Sequence, residues 1–156
     1  MTALSRVTDF LYREADCLDR GDLDAWIELY AEDGTFWMPV SAEQTDPNQH
    51  ISLFYDDRTM MEIRRRNFGH ALAASMEYPV RCSHMIGNVR IANQSENSFN
   101  VHSNFQAVVY YKEQQTLYAG SYTHELLEVN GEFKISHKRV DLINADAEHG
   151  SLIIYL

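Results

Sequence analysis

Apolar residues recur at helical spacing near the start of the chain. Val7, Phe10, Leu11, Ala15 and Leu18 fall on one stripe, with Arg6, Asp9, Arg13 and Asp16 between them, which predicts an amphipathic helix. Gly21 stands where such a helix would end. A second, short helix is expected after Asp22, carrying Leu23, Trp26, Ile27 and Tyr30. Asp33-Gly34 reads as a turn, and Thr35-Phe-Trp-Met-Pro39 as a short strand closed by proline. The polar run from Ser41 to His50, around Pro47, is a loop. Asp56 or Asp57 is placed to cap a third helix from about Arg58 to Met76. Met61, Phe68, Leu72 and Met76 line one face of it, and Arg64, Arg65 and Arg66 cluster on the polar side.

After Pro79 the period changes from helical to alternating. Arg81 to Ala92 reads as a strand, and Asn93 to Asn97 as a turn-rich link. From Ser98 to Tyr111, the residues Phe99, Val101, Ser103, Phe105, Ala107, Val109 and Tyr111 share one face. A further strand covers about Thr116 to Val129, Asn130-Gly131 signals a type I′ hairpin, and a last strand runs from Glu132 to about Ile143. Strands this much longer than the usual five or six residues imply a twisted, curved sheet. Helices first and a long meander afterwards predict one α+β domain over residues 1–156, its N-terminal helices packed on one face of the sheet. A curved sheet closed by helices forms a cone, whose interior is either a pocket or a core. The apolar stretch Leu152-Ile-Ile-Tyr-Leu156 is expected to pair as a strand or to be buried against another subunit, since such a tail left free would fray.

Composition narrows the class. A net charge of −10 argues against nucleic acid and anionic membranes, which select clustered Lys and Arg. Two cysteines, Cys17 and Cys82, do not make a disulfide scaffold. No apolar run approaches the roughly 18 residues of a membrane span, and the opening residues lack the pattern of a signal peptide, so a cytoplasmic protein is expected.

Candidate chemistry is sparse. Cys82-Ser83-His84 has the Cys-x-His spacing of half a Rieske site, but the other half needs Cys-x-x-His, and Cys17 is followed by Leu18-Asp19-Arg20. No Rieske centre is therefore expected in this chain. The seven histidines are scattered without a tight ligand pair, and no metal site is assigned. Tyr30, Asp33, His84 and His102 are candidates for acid–base work inside a cone, with histidine as base and tyrosine as electrophile. The alternative is ordinary hydrogen bonding, with His84 and His102 on opposite or solvated strand faces. Nucleophile elbows and glycine-rich phosphate loops are absent. The Arg64-Arg65-Arg66 run is either a dock for an acidic partner or a solvated face pairing with Glu62.

A set of short stretches carries a family resemblance. Phe10-Leu-Tyr-Arg-Glu-Ala15 with Leu18-Asp19, then Trp26 and Asp33 before Phe36-Trp-Met-Pro39, resembles the small (β) subunits of aromatic-ring-hydroxylating dioxygenases. So do Ile51-Ser-Leu-Phe-Tyr-Asp-Asp-Arg58, Arg81-Cys-Ser-His84 with Asn88-Val89, Val101-His-Ser-Asn-Phe105 and Lys138-Arg-Val-Asp-Leu142, all in order. The Phe-Trp-Met-Pro and Lys-Arg-Val-Asp-Leu-Ile-Asn stretches look most like the branch acting on aromatic acids such as benzoate or anthranilate. The chain departs from the family where Arg-Thr-Arg-His and Gly-Arg-Arg are frequent, reading Arg81-Cys82-Ser83-His84 and Gly120-Ser121-Tyr122. The resemblance implies a nuclear-transport-factor-2-like (cystatin-like) cone. It also implies a large α subunit as partner, in a hexamer of three large and three small chains, and self-association of the small chains as a trimer. The Rieske cluster and mononuclear non-haem iron would sit in the α subunit, with none in this chain. The assembly would convert an aromatic substrate to a cis-dihydrodiol, with electrons arriving through a ferredoxin or reductase. No catalytic residue is carried over. Phe54, Tyr55, Arg58, Arg81 and His84 fall in shared motifs and are expected to serve packing or subunit contacts.

Overall fold

In a computed structural model describing residues 1–74, 80–145 and 154–156 (side chains outside 68–74), the first amphipathic stripe forms α1, Ala3–Asp19. Thr2 caps its start, the hydroxyl accepting from the Ser5 N–H at 3.1 Å. Its end is a Schellman turn. Gly21 takes φ 67°, and the N–H groups of Gly21 and Asp22 donate to the carbonyls of Leu18 and Cys17. Asp22 then caps α2, Leu23–Glu28. The sequence places Tyr30 on this helix, but it instead opens β1, Tyr30–Pro39.

The expected turn at Asp33-Gly34 is instead an irregularity inside β1, where the pairing to the last strand shifts between Tyr30 and Thr35. Gly34 is needed there, because a Cβ would lie 2.8 Å from the Ile135 carbonyl oxygen and 2.9 Å from that of Ala31. The hydrophobic pattern gives no sign of β2, Ser52–Asp57, which pairs antiparallel with β1. It leads directly into α3, Arg58–Ala74, where the Asp57 carboxylate accepts from the Met60 N–H at 2.9 Å. Met61 is buried as its spacing predicts, whereas Phe68, Leu72 and Met76 lie outside the described side chains.

The four long strands are β3 (Arg81–Gln94), β4 (Ser98–Tyr111), β5 (Gln114–Val129) and β6 (Glu132–Leu142). Asn130 (φ 52°) and Gly131 (φ 80°) supply the two left-handed residues of the β5–β6 hairpin turn. The sheet order is β2-β1-β6-β5-β4-β3. All neighbours are antiparallel except β1 and β6, which are parallel, so the sheet is mixed. This is the expected α+β architecture, with α1 laid against the sheet.

Cross-strand register decides which side chains face the helices. The row Val101–His124–Lys138–Phe36–Asp56 and the row Ser103–Tyr122–Val140 point inward, as does Cys82–Val109 with His84–Ala107–Tyr118. The residues between them point outward. Tyr155 and Leu156 are 1% and 0% exposed and belong to the core of this chain. For these two residues that corrects the expectation of a sheet strand or an intersubunit tail, while Leu152 and Ile153 lie outside the described residues. Tyr155 stacks on Trp26 at 4.5 Å and meets Phe36 edge-on at 5.0 Å, so the aromatic cluster supplies the partner that the tail lacks by itself. Among the described residues no helix is long and apolar enough to cross a membrane.

Candidate functional site

Glu14 lies on the apolar stripe of α1 and enters the cone, 2% exposed. Three donors meet its carboxylate: Lys138 Nζ at 2.7 Å, His124 Nε2 at 2.8 Å and Trp26 Nε1 at 2.9 Å. Lys138 and His124 are cross-strand neighbours on β6 and β5, which is why one carboxylate reaches both. The ammonium also donates to the Leu156 carbonyl oxygen at 2.9 Å and lies 4.3 Å from the Tyr122 ring centre. Burial alone would raise the Glu14 carboxyl, but Lys138 and His124 together hold it well below the usual carboxylate range. Burial pushes the Lys138 ammonium down against the pull of Glu14. The ionised state of Glu14 is the firmer of the two, because two partners and three hydrogen bonds favour it.

Burial, opposed by Glu14, also pushes the His124 imidazole below its ordinary value of 6.5. The folded chain therefore resists a proton that the unfolded chain accepts. Stability is complete above about 6.5 and declines as pH falls below it, because the unfolded state then binds more protons. The expected outcome is a urea midpoint that drops between roughly pH 7 and pH 5. His124→Gln, which keeps a donor toward Glu14, should make that drop smaller, leaving the part that comes from His84 and His137, which burial also pushes down. A midpoint that rises on acidification would contradict this electrostatic account.

A second inward group joins the last turn of α1 to β3. The Asp19 carboxylate accepts from the His84 ring at Nδ1 (2.6 Å) and from the His84 backbone N–H (3.1 Å). The Cys82 thiol donates toward the Leu18 carbonyl at 3.4 Å, and burial first, with Asp19 beside it, pushes that thiol up to about 12.

The residues singled out for acid–base work are not brought together. Tyr30 is buried in the aromatic core, and Asp33 is exposed on β1. His84 faces inward against Asp19, whereas His102 is on the outward face of β4, in register with Arg90 and Thr123. Of the shared-motif residues, Phe54 is buried and Arg58 donates to the Tyr30 carbonyl and to Glu28. Tyr55 and Arg81 are exposed, Arg81 lying over the Tyr110 ring. The arginine run splits: Arg64 holds the buried carboxylate of Asp56, Arg65 pairs with Asp24 and Glu62, and Arg66 is exposed. Among the described residues the one group of three possible metal ligands is Asp19, Cys82 and His84. It offers one thiol and one imidazole, so it does not fit a Rieske cluster, which takes two of each.

The outer face of the sheet carries a different signal. Register places Met85, Gln106, Ala119 and Ile143 in one row, with Ser83, Val108 and Leu117 in the next and Tyr110 beyond. Met85, Leu117 and Ile143 are 73%, 58% and 81% exposed. No helix of the described chain packs on this side, and β3 leaves one edge unpaired.

Comparison with known proteins gives these features a context. Residues 13–147 match the family model of the ring hydroxylating beta subunit. The beta subunit of toluate 1,2-dioxygenase from Pseudomonas putida is 35% identical over 109 residues, covering 67% of each chain. The small subunit of 2-halobenzoate 1,2-dioxygenase from Burkholderia cepacia is 29% identical over 154 residues, covering 96% of this chain and 93% of that one. In the solved structures, the beta subunit of benzoate 1,2-dioxygenase from Burkholderia mallei superposes with a TM-score of 0.83 at 26% identity, covering 99% of both chains. With the motif order, the cone and these matches in agreement, the chain belongs to the ring-hydroxylating dioxygenase beta-subunit family.

Proposed function

We propose that this chain is the structural small subunit of a cytoplasmic dioxygenase that converts an aromatic acid to a cis-dihydrodiol. The large subunit holds the Rieske cluster and the mononuclear iron, supplies the active site and receives electrons through a ferredoxin or reductase. The small chain associates with its own copies as a trimer and supports the large subunits in a hexamer of three of each. Toluate, halobenzoate and benzoate in the names of the relatives support an aromatic acid as the substrate class.

The observation that carries the scaffold reading is the outer face of the sheet. Exposed apolar side chains in adjacent rows, on a face that no described helix covers, are characteristic of a surface that packs against another subunit. Inside the cone, by contrast, the charged groups are spent on one another, as Glu14, Lys138 and His124 show. Tyr55 and Arg81 join the contact surface, while Phe54, Arg58 and His84 serve packing within the chain.

The test is Met85→Glu combined with Leu117→Glu in the full chain, co-expressed with its large subunit. Both positions are exposed, so the stability of the isolated chain should move by no more than about 0.5 kcal/mol. The assembly should break down to smaller species by light scattering. A full-sized assembly from this variant would remove the outer face from the account.

A further inference from the structure

Cys82 and His84 are two residues apart on β3, so both side chains face inward. The Schellman turn ends α1 at Asp19 and sets its carboxylate over the same spot. Cys82 Sγ, His84 Nδ1 and an Asp19 carboxylate oxygen lie within 4.8 Å of one another. Asp19 Oδ1 is 2.6 Å from Nδ1 and 3.7 Å from Sγ. The His84 side chain is fully buried and that of Asp19 is 27% exposed, which leaves the group reachable from solvent on one side.

We propose that Asp19, Cys82 and His84 form a binding site for a zinc-class divalent cation, with water as the fourth ligand. Thiolate, imidazole and carboxylate are the three donor types that such an ion takes. Tetrahedral zinc, with bonds of about 2.3 Å to sulfur and about 2.0–2.1 Å to nitrogen and oxygen, sets adjacent sulfur and oxygen roughly 3.5 Å apart and adjacent nitrogen and oxygen roughly 3.3 Å apart. The Asp19–Cys82 spacing already meets the first value. The Asp19–His84 spacing must open by about 0.7 Å, which a rotation of the partly exposed carboxylate supplies. Binding moves the imidazole proton to Nε2 and releases the thiol proton to solvent. The His84 backbone N–H, donating to the other carboxylate oxygen, holds Asp19 in place. The ion would tie the end of α1 to the edge strand of the sheet. This site is separate from iron chemistry and does not depend on the scaffold reading.

Cobalt(II) tests it, because it occupies zinc sites and gives an intense near-ultraviolet charge-transfer band only when bound to thiolate. The full-length chain, stripped with chelator, should take up one cobalt per chain with that band, and zinc should displace it. Cys82→Ser should abolish the band and Cys17→Ser should keep it. Asp19→Asn should weaken affinity at least about tenfold. Metal-free circular dichroism and urea midpoints identify any variant that fails to fold, and Cys82→Ala then replaces it. The proposal is overturned by absence of the band, by a band that survives loss of Cys82, or by uptake without thiolate character at surface histidines.

Discussion

Lys138→Met should cost about 3–5 kcal/mol of folding stability, the scale for removing one partner of a buried ion pair. The methionine fills most of the space, so the loss comes from electrostatics. Glu14 keeps its donors from His124 and Trp26 but loses the ammonium paired with it, at a buried position. The Leu156 carbonyl oxygen loses its donor as well. Adding Glu14→Gln removes the stranded charge and should return more than half of the loss, since the amide oxygen accepts from Trp26 while its NH2 donates to His124 Nε2 in the other imidazole tautomer. Urea midpoints at constant slope measure both steps. A single substitution costing under about 1 kcal/mol, or a double variant whose costs simply add, would mean that the pair is not the stabilising unit described here.

Tyr155→Ala should cost about as much, roughly 3–5 kcal/mol, as is typical for a fully buried aromatic residue. Its ring stacks on Trp26 and contacts Phe36 and Phe54, at 4.5, 5.0 and 5.7 Å between centres. Its hydroxyl donates to Asp56 Oδ2 at 2.6 Å, in competition with Arg64 for the same carboxylate. Tyr155→Phe keeps the ring and removes the hydroxyl with its hydrogen bond to Asp56, so it should cost about 1–3 kcal/mol. The gap between the two variants measures the packing contribution of the tail. Tyr155→Ala within about 1 kcal/mol of the parent chain would show that the tail does not dock in solution.

These two groups also mark what the sequence discloses and what it conceals. The long strands are legible because β4 keeps strict alternation from Ser98 to Val109 and Asn130-Gly131 leaves little choice of turn. β2 is not, because six residues pairing with a neighbour show too little periodicity to stand out from the loop before them. At Tyr30 and the Asp33-Gly34 step the sequence misleads, because a bulge in β1 resembles a turn when the partner strand is unseen. The ionic cluster leaves a trace in the sequence. Glu14 is a lone charge on an apolar helical stripe, and Lys138 is in phase with Val140 and Leu142. That phase is masked by the irregularity at Ser136, where the β5–β6 register slips by one residue. The inward placement of Cys82 and His84 follows from strand alternation, but only the fold could bring Asp19 to them from sixty-odd positions away. The apolar character of the tail is legible, but the sequence offers a sheet strand or a contact with another subunit in place of the core that holds Tyr155 and Leu156, because nothing local says which aromatic cluster it meets.

The central claim is that this chain supports catalysis without performing it. The direct measurement is cis-dihydrodiol formation from benzoate-class acids by the full chain alone, by the large subunit alone and by the two co-expressed, each with the reductase. Product should appear only from the co-expressed pair, should travel with a complex containing both chains, and should persist when Asp33→Asn and His102→Ala are introduced here. Turnover by this chain alone, or loss of turnover in those two variants with the complex intact, would contradict the account.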